Sequence, residues 1–300
     1  MTNQHVLQES TDEPVRVRRL RRFLGAASDA AEPVLDVLRP FVDGTANLPR
    51  DGRFLLVGNH TQGAMEVILI SHYVRRTIGA RVRPLADRGM GKMRGLMRDV
   101  NTAVGAVVGS PESIQDLMRC NETILVFPGG GREIAKFKGE ESTINWKGRS
   151  GFAREAILGG YPIVPVALVG SDEMYEHLLS RNSTLGQLSL VLSEKISGRK
   201  EMPMPLVHGI GPTLIPRPQR MYLRFGTPIS TTRPPRRSAV EWVDAVKQTT
   251  QTSLEDMIAD LLTIRADDPY RALNPLAWNR AACPAAQSKP TGASAEQHAD

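Results

Sequence analysis

The stretch TILVFPGGGREI, residues 123–134, runs five β-favouring residues straight into a proline and three glycines. An apolar run of that length, stopped by turn residues, reads as a buried strand. A second stretch is built the same way: RFLLVG, residues 53–58, continues into NHTQGAMEV, residues 59–67. A strand that ends in a glycine-bearing turn and leads into a helical piece is the repeating unit of an α/β sheet.

The same alternation continues outward from these two strands. Residues 63–79 carry Met65, Ile68, Leu69 and Tyr73 and read as a helix. RVRPLA (81–86) and TAVGAVV (102–108) are short strand candidates, separated by a Met- and Arg-rich helix around 89–99. Pro111 opens a helix over 111–120, at the position where a missing N–H costs nothing. A helix over 147–159, the strand YPIVPVALVG (161–170) and a helix near 171–181 follow. Residues 182–219 include the proline-rich MPMPLVHGIGPTLIPRP and are expected to be irregular, as a lid, a loop or an apolar surface touching lipid. RMYLRFG (220–226) is a late strand and 236–264 a terminal amphipathic helix. The expected fold is α/β, a central mixed, mostly parallel sheet flanked by helices. Residues 1–45 form a basic arm, 46–265 the folded domain, and 266–300 a tail that ends in a composition typical of disorder.

Composition narrows the function classes. Of 300 residues, 41% are hydrophobic and 23% charged, as in an ordinary globular protein. No apolar run approaches the ~18–20 residues of a membrane span, and the first thirty residues lack a signal-peptide core. Cys120 and Cys283 lie far apart, make no metal-ligand spacing, and are expected as reduced thiols of a cytoplasmic protein. The net charge of +6 suits nucleic acid, an anionic membrane or anionic small molecules. Aromatic residues at 5% leave little for base stacking, so nucleic acid is the weakest of the three. The arm VRVRRLRRFLGAA (15–27) sets five arginines among apolar residues, a pattern that can lie on anionic lipid or be a solvated helix.

Ligands of open α/β sheets bind outside the carboxyl ends of the strands, where both glycine-bearing turns fall. Gly129, Gly130 and Gly131 let backbone amides approach a ligand closely. Arg132 adds a guanidinium able to grip phosphate or carboxylate, and Glu133, if buried, needs a partner such as Arg132, Lys136 or Lys138. Lys147 and Arg149 either reach a phosphate or face water; Trp146 reads as core, and His72 and His177 as surface or packing residues. His60 and Glu66 are six apart, too far for one helical face, so a pair requires His60 in the loop and Glu66 in the first helical turn. No P-loop, dinucleotide fingerprint, serine-hydrolase elbow or zinc helix is present. What remains is chemistry that uses a histidine base without a metal or a covalent nucleophile.

NHTQGAME (59–66), FPGGGREI (127–134), NWKGRSGFAREAI (145–157) and PIVPVALVGSDEM (162–174), in this order, resemble the glycerolipid acyltransferase family. They are most similar to its branch related to diacylglycerol acyltransferases and phytyl ester synthases. The usual family motif has an aspartate five residues after the histidine; Met65 stands there, and the acid is Glu66, a spacing this branch tolerates. The resemblance covers about residues 50–230. It implies a glycerol-3-phosphate acyltransferase-like fold, acyl-CoA as donor substrate, no cofactor and no metal. His60 would be the general base, Glu66 its orienting acid, and the Gly129–Gly131 amides the oxyanion donors. Gly129, Gly130, Gly131, Arg132, Glu133, Lys147 and Arg149 would bind substrate. The second family motif normally supplies an arginine for the acceptor's phosphate. The matching GAVVGSPES (105–113) offers only Ser110 and Glu112, which favours a neutral alcohol such as diacylglycerol over a lysophospholipid. The implied partners are acyl-CoA, a lipid alcohol and a membrane surface, with the protein peripheral on the cytoplasmic face. Two alternatives keep the fold: a non-catalytic lipid- or CoA-binding protein, and an acyl-CoA thioesterase.

Overall fold

The computed structural model describes residues 15–16, 18–20, 39–62, 65–87, 95, 99, 105–197 and 206–272. In chain order the elements are β1 (Phe41–Asp43), β2 (Leu55–Gly58), α1 (Met65–Ile78), β3 (Val82–Ala86), β4 (Val107–Val108), α2 (Pro111–Arg119) and β5 (Thr123–Val126). After these come α3 (Gly131–Ile134), α4 (Gly151–Gly159), β6 (Ile163–Val169), β7 (Glu176–His177), α5 (Thr184–Ser197), β8 (Val207–His208), β9 (Tyr222–Phe225) and α6 (Ala239–Asp267).

Seven strands form one sheet in the order β1-β9-β6-β2-β5-β3-β4, parallel throughout except for the antiparallel pair β6–β9. The mixed, mostly parallel sheet is the one expected, with β1 as an added edge strand upstream of residue 46. Its central strands are apolar on both faces because helices cover both. Leu55 and Val57 of β2 point into a core built with α2, α4 and α6 through Leu117, Ala153, Ala156, Leu254 and Leu261. Leu56, between them, points the other way, to Leu69, Ile70 and Val74 of α1. The period of two along the strand thus decides which layer each side chain joins.

Local chemistry sets the element ends. Ser110 caps α2, its Oγ accepting from Ser113 N at 3.1 Å with Pro111 at the first position. Ser110 therefore works as a helix cap behind the edge strand β4. Ser238 and Glu241 form a capping box at the start of α6. The helix expected from 147 begins only at Gly151, since Lys147 (φ 45°) and Gly148 (φ 78°) sit in the left-handed region.

Two expectations along the chain need correction. The helix expected near 171–181 is instead a 3-10 turn at Asp172–Met174 followed by β7, which pairs with β8. Asp172, which could have capped a helix, uses its carboxylate on other segments, as described below. Residues 182–219 are not irregular throughout, because α5 occupies Thr184–Ser197. The helix expected around 89–99, most of the basic arm and the tail beyond 281 lie outside the described residues.

Candidate active site

Strand order builds the site. β2 pairs with β5 on one side (Val57↔Val126) and with β6 on the other (Gly58↔Val166). The turns leaving these three parallel strands therefore sit side by side at the carboxyl end of the sheet. Residues 59–62 form the middle turn, 127–133 one neighbour, and 170–172 the other.

Every residue of the middle turn is held. Asn59, buried, continues the β2–β6 ladder with its side chain: Nδ2 donates to Leu168 O at 2.8 Å, and Oδ1 accepts from Leu168 N at 2.9 Å. His60 N donates to Glu133 Oε2 at 3.0 Å. Thr61 Oγ1 donates to Glu66 Oε2 at 2.5 Å. Gln62 N donates to Asp172 Oδ1 at 3.0 Å, and Gln62 O accepts from Ser171 Oγ at 2.8 Å. A loop tied by both neighbouring turns holds its side chains in place before any ligand arrives.

His60 and Glu66 meet. The imidazole Nδ1 is hydrogen-bonded to Glu66 Oε1, and Glu66, in the first turn of α1, is fully buried. The six-residue spacing works because the acid points back from the helix N-terminus towards the turn, where Thr61 N also donates to it at 3.3 Å. A carboxylate there is favoured by the helix dipole. The His60 ring stacks on Phe127, centroids 4.4 Å apart and planes 14° from parallel, which fixes its second degree of freedom. With Nδ1 engaged by Glu66, Nε2 has no hydrogen-bond partner among the described residues.

The glycine turn follows from Glu133. Its carboxylate is buried and accepts from His60 N and from Asn145 N at 2.8 Å, joining two motifs that are distant in sequence. Burial pushes this carboxyl above its ordinary range, against the downward pull of the two amides and of Lys136. Its hydrogen-bond partners are thus backbone amides, not the nearby cations. A Cβ on Gly129 would lie 2.2 Å from Glu133 Cδ, so only glycine leaves room for the acid. Gly130 adopts φ 57°, ψ −144°, a region open essentially to glycine. Its amide donates to Phe127 O at 3.0 Å, while the amides of Gly129 and Gly131 donate to no atom of the described residues.

Arg149 reaches back to this turn, Nη1 donating to Pro128 O at 2.9 Å and Gly129 O at 3.1 Å. Burial and the like charge of Arg132 hold its guanidinium below its ordinary value. Arg132 is half-buried on α3, and Lys147 is exposed. Trp146 is core, packed edge-on against Phe152.

Sequence reasoning overlooked the third support. Lys136 and Asp172, both buried, form an ion pair at 2.5 Å, and Asp172 also accepts from Gln62 N and Ser142 N. Lys136, a candidate partner for Glu133, bonds Asp172 instead. The signal lies in VGSDEM (169–174), where an acid directly after an apolar strand has to find a partner.

Residues 39–169 match the family model described as Acyltransferase. Phytyl ester synthase 2 of Arabidopsis thaliana, a chloroplastic protein, is 30% identical over 268 residues, which is 82% of this chain and 38% of that protein. A human protein described as a DGAT1/2-independent enzyme synthesizing storage lipids is 32% identical over 129 residues, 42% of this chain and 38% of its own. The crystal structure of the 1-acyl-sn-glycerophosphate acyltransferase PlsC from Thermotoga maritima aligns at 17% identity with a TM-score of 0.44, over 80% of this chain and 79% of that one. This chain spans little more than a third of the length of the phytyl ester synthase. Over residues 39–169 the chain carries a domain of the acyltransferase family.

Proposed function

We propose that the protein transfers a fatty acyl group from acyl-CoA to the hydroxyl of a lipid alcohol, with diacylglycerol-like neutral alcohols preferred over lysophospholipids. The observation that carries this reading is a histidine held by a buried acid on one ring nitrogen and unpartnered, among the described residues, on the other. The relatives support the direction of the chemistry, since one is named for making phytyl esters and another for making storage lipids. The matching second motif supplies a helix cap and no cation, in keeping with a neutral acceptor.

In this reaction His60 Nε2 removes the acceptor's hydroxyl proton as its oxygen attacks the thioester carbonyl. Glu66 stabilises the imidazolium that forms. The oxyanion of the tetrahedral intermediate is met by the amides of Gly129 and Gly131, which Glu133 and Arg149 hold in place. As the intermediate collapses, the C–S bond breaks, and the CoA thiolate leaves and takes the proton back from His60. No acyl-enzyme and no cofactor are needed. Arg132, Lys147 and Arg149 are the cations this reading assigns to the phosphates of the donor.

The test is a product screen by mass spectrometry, using purified protein with acyl-CoA or acyl carrier protein donors and a panel of lipid alcohols. Ester formation that disappears in His60→Ala, with the thermal unfolding temperature retained, is the expected result. Undiminished transfer in that variant removes His60 as the base, and free fatty acid without ester turns the reading into a thioesterase.

A further inference from the structure

The excursion between β6 and β9 is built inside out. Helix α5 turns Gly186 and Ser189 towards the protein, both buried, while Leu185, Leu188, Val191 and Leu192 are 45–62% exposed. These four positions follow the spacing of three and four that makes one helical face, and the two small residues lie on the opposite one. A soluble helix has the reverse polarity. The same excursion also exposes Leu178, Leu206, Ile210, Leu214 and Ile215. Residues 202–216 contain no charged Asp, Glu, Lys or Arg side chain. Apolar side chains exposed in this number mark a surface that meets something other than water.

Its place in the fold bears on what it meets. The excursion leaves and rejoins the sheet at the carboxyl end: Arg217 N donates to Met174 O at 2.9 Å and the Arg217 guanidinium pairs with Glu176 at 2.8 Å. It rests on the segment just after the glycine turn, where Lys138 N donates to Leu179 O at 2.9 Å and Arg181 pairs with Glu140 at 2.5 Å. The apolar surface is therefore attached to the end of the molecule that carries His60. The exposed acids Asp87 and Glu112 at this end follow β3 and β4, at the other edge of the sheet from β6 and β9. Lys138, Lys147, Arg149 and Lys195 are exposed. Glu66, Glu133 and Asp172 are buried, Glu140 and Glu176 are paired with arginines, and Glu141 accepts from Gly139 N. Exposed Glu194 lies beside Lys195 on α5.

We infer that α5 and the apolar segment 206–215 dock this end of the protein on a lipid bilayer containing anionic headgroups, apolar side chains entering the surface layer and the lysines and arginines facing the headgroups. This rests on the proposed function for its purpose, since a lipid alcohol embedded in a membrane reaches His60 only if the site faces the membrane. Among the described residues no helix is long and apolar enough to cross a bilayer, so contact is at the surface.

The test is flotation of the full chain with phosphatidylcholine vesicles, with and without phosphatidylglycerol. The protein floats with the anionic vesicles and less with the neutral ones, by about fivefold per cation at the surface. The variant Leu185→Ser/Leu188→Ser/Val191→Ser/Leu192→Ser loses binding by about 100-fold or more, with its helical circular dichroism unchanged. If that variant fails to fold, Leu188→Trp, corrected for the three native tryptophans, gives the same information through a blue shift on adding vesicles. Absence of flotation, an unshifted emission from the introduced indole, or a dimer by light scattering that the serine variant dissolves would each overturn the inference, the last assigning the face to a second copy. Flotation is read without turnover, so a protein that floats but makes no ester refutes the proposed reaction and leaves the docking surface standing.

Discussion

Replacing Glu66 by glutamine separates the charge of the pair from its geometry. Glu66 Oε1 faces His60 Nδ1, and Oε2 accepts from Thr61 Oγ1 at 2.5 Å. In Glu66→Gln the amide oxygen can keep the bond to Nδ1–H while the NH2 group turns to Thr61, whose hydroxyl accepts as readily as it donates. The imidazole then keeps its tautomer and its stack on Phe127. In the proposed reaction, what is lost is the attraction between a carboxylate and the imidazolium formed in the transition state. Unit charges ~4 Å apart interact by about 4 kcal/mol at an effective dielectric of 20. The remaining hydrogen bond and the amide dipole recover part of this, so the expected loss is about 2–4 kcal/mol, or roughly 30- to 1000-fold in kcat, with KM little changed. Stability should move the other way or not at all, since a fully buried charge is replaced by a neutral group of the same shape. The assay is CoA release followed with a thiol reagent at saturating donor, with thermal unfolding in parallel. A variant as fast as the parent, or one whose loss of rate accompanies a large fall in Tm, refutes the argument. Adding Thr61→Val should slow the glutamine variant by a further tenfold or so, because nothing then stops the amide from presenting NH2 to Nδ1.

Two further predictions concern the supports of the turn. Gly129→Ala forces the Glu133 carboxylate off the amides of His60 and Asn145, since its Cβ would sit 2.4 Å from Oε1. It should cost about 2–3 kcal/mol of stability and at least about tenfold in turnover, read by urea denaturation and the ester assay. Lys136→Met leaves Asp172 buried without its ammonium and should cost about 3–5 kcal/mol; adding Asp172→Asn should restore much of it. A single variant within ~0.5 kcal/mol of the parent would show that the pair is not needed to hold Gln62 and Ser142.

Strands announce themselves in this chain because the central ones are buried on both faces: LLVG, TILV and IVPVALV need no partner to be read. Glycines bounding the turns are equally visible, and with them the place where a ligand would sit. The edge strand β1 is not, as its three residues acquire strand geometry only by pairing with β9. Helix α5 is hidden for a different reason. Its face is helical in spacing, but it follows a segment that reads as a helix and precedes a proline-rich one, and the outward direction of its leucines depends on which side packs against residue 180.

The sequence by itself determined the α/β class, the two glycine-bearing turns, and the presence of His60 in one of them with Glu66 at the start of the helix behind it, because those depend on local patterning and residue type. Tertiary structure alone decided that Glu133 of one turn supports the backbone of His60 in another, that Lys136 serves Asp172, and that Arg149 braces the glycines. These contacts join residues up to 73 positions apart, as His60 and Glu133 are. Their partners are chosen by the order of strands in the sheet, and that order is a property of the packed whole which no single segment encodes.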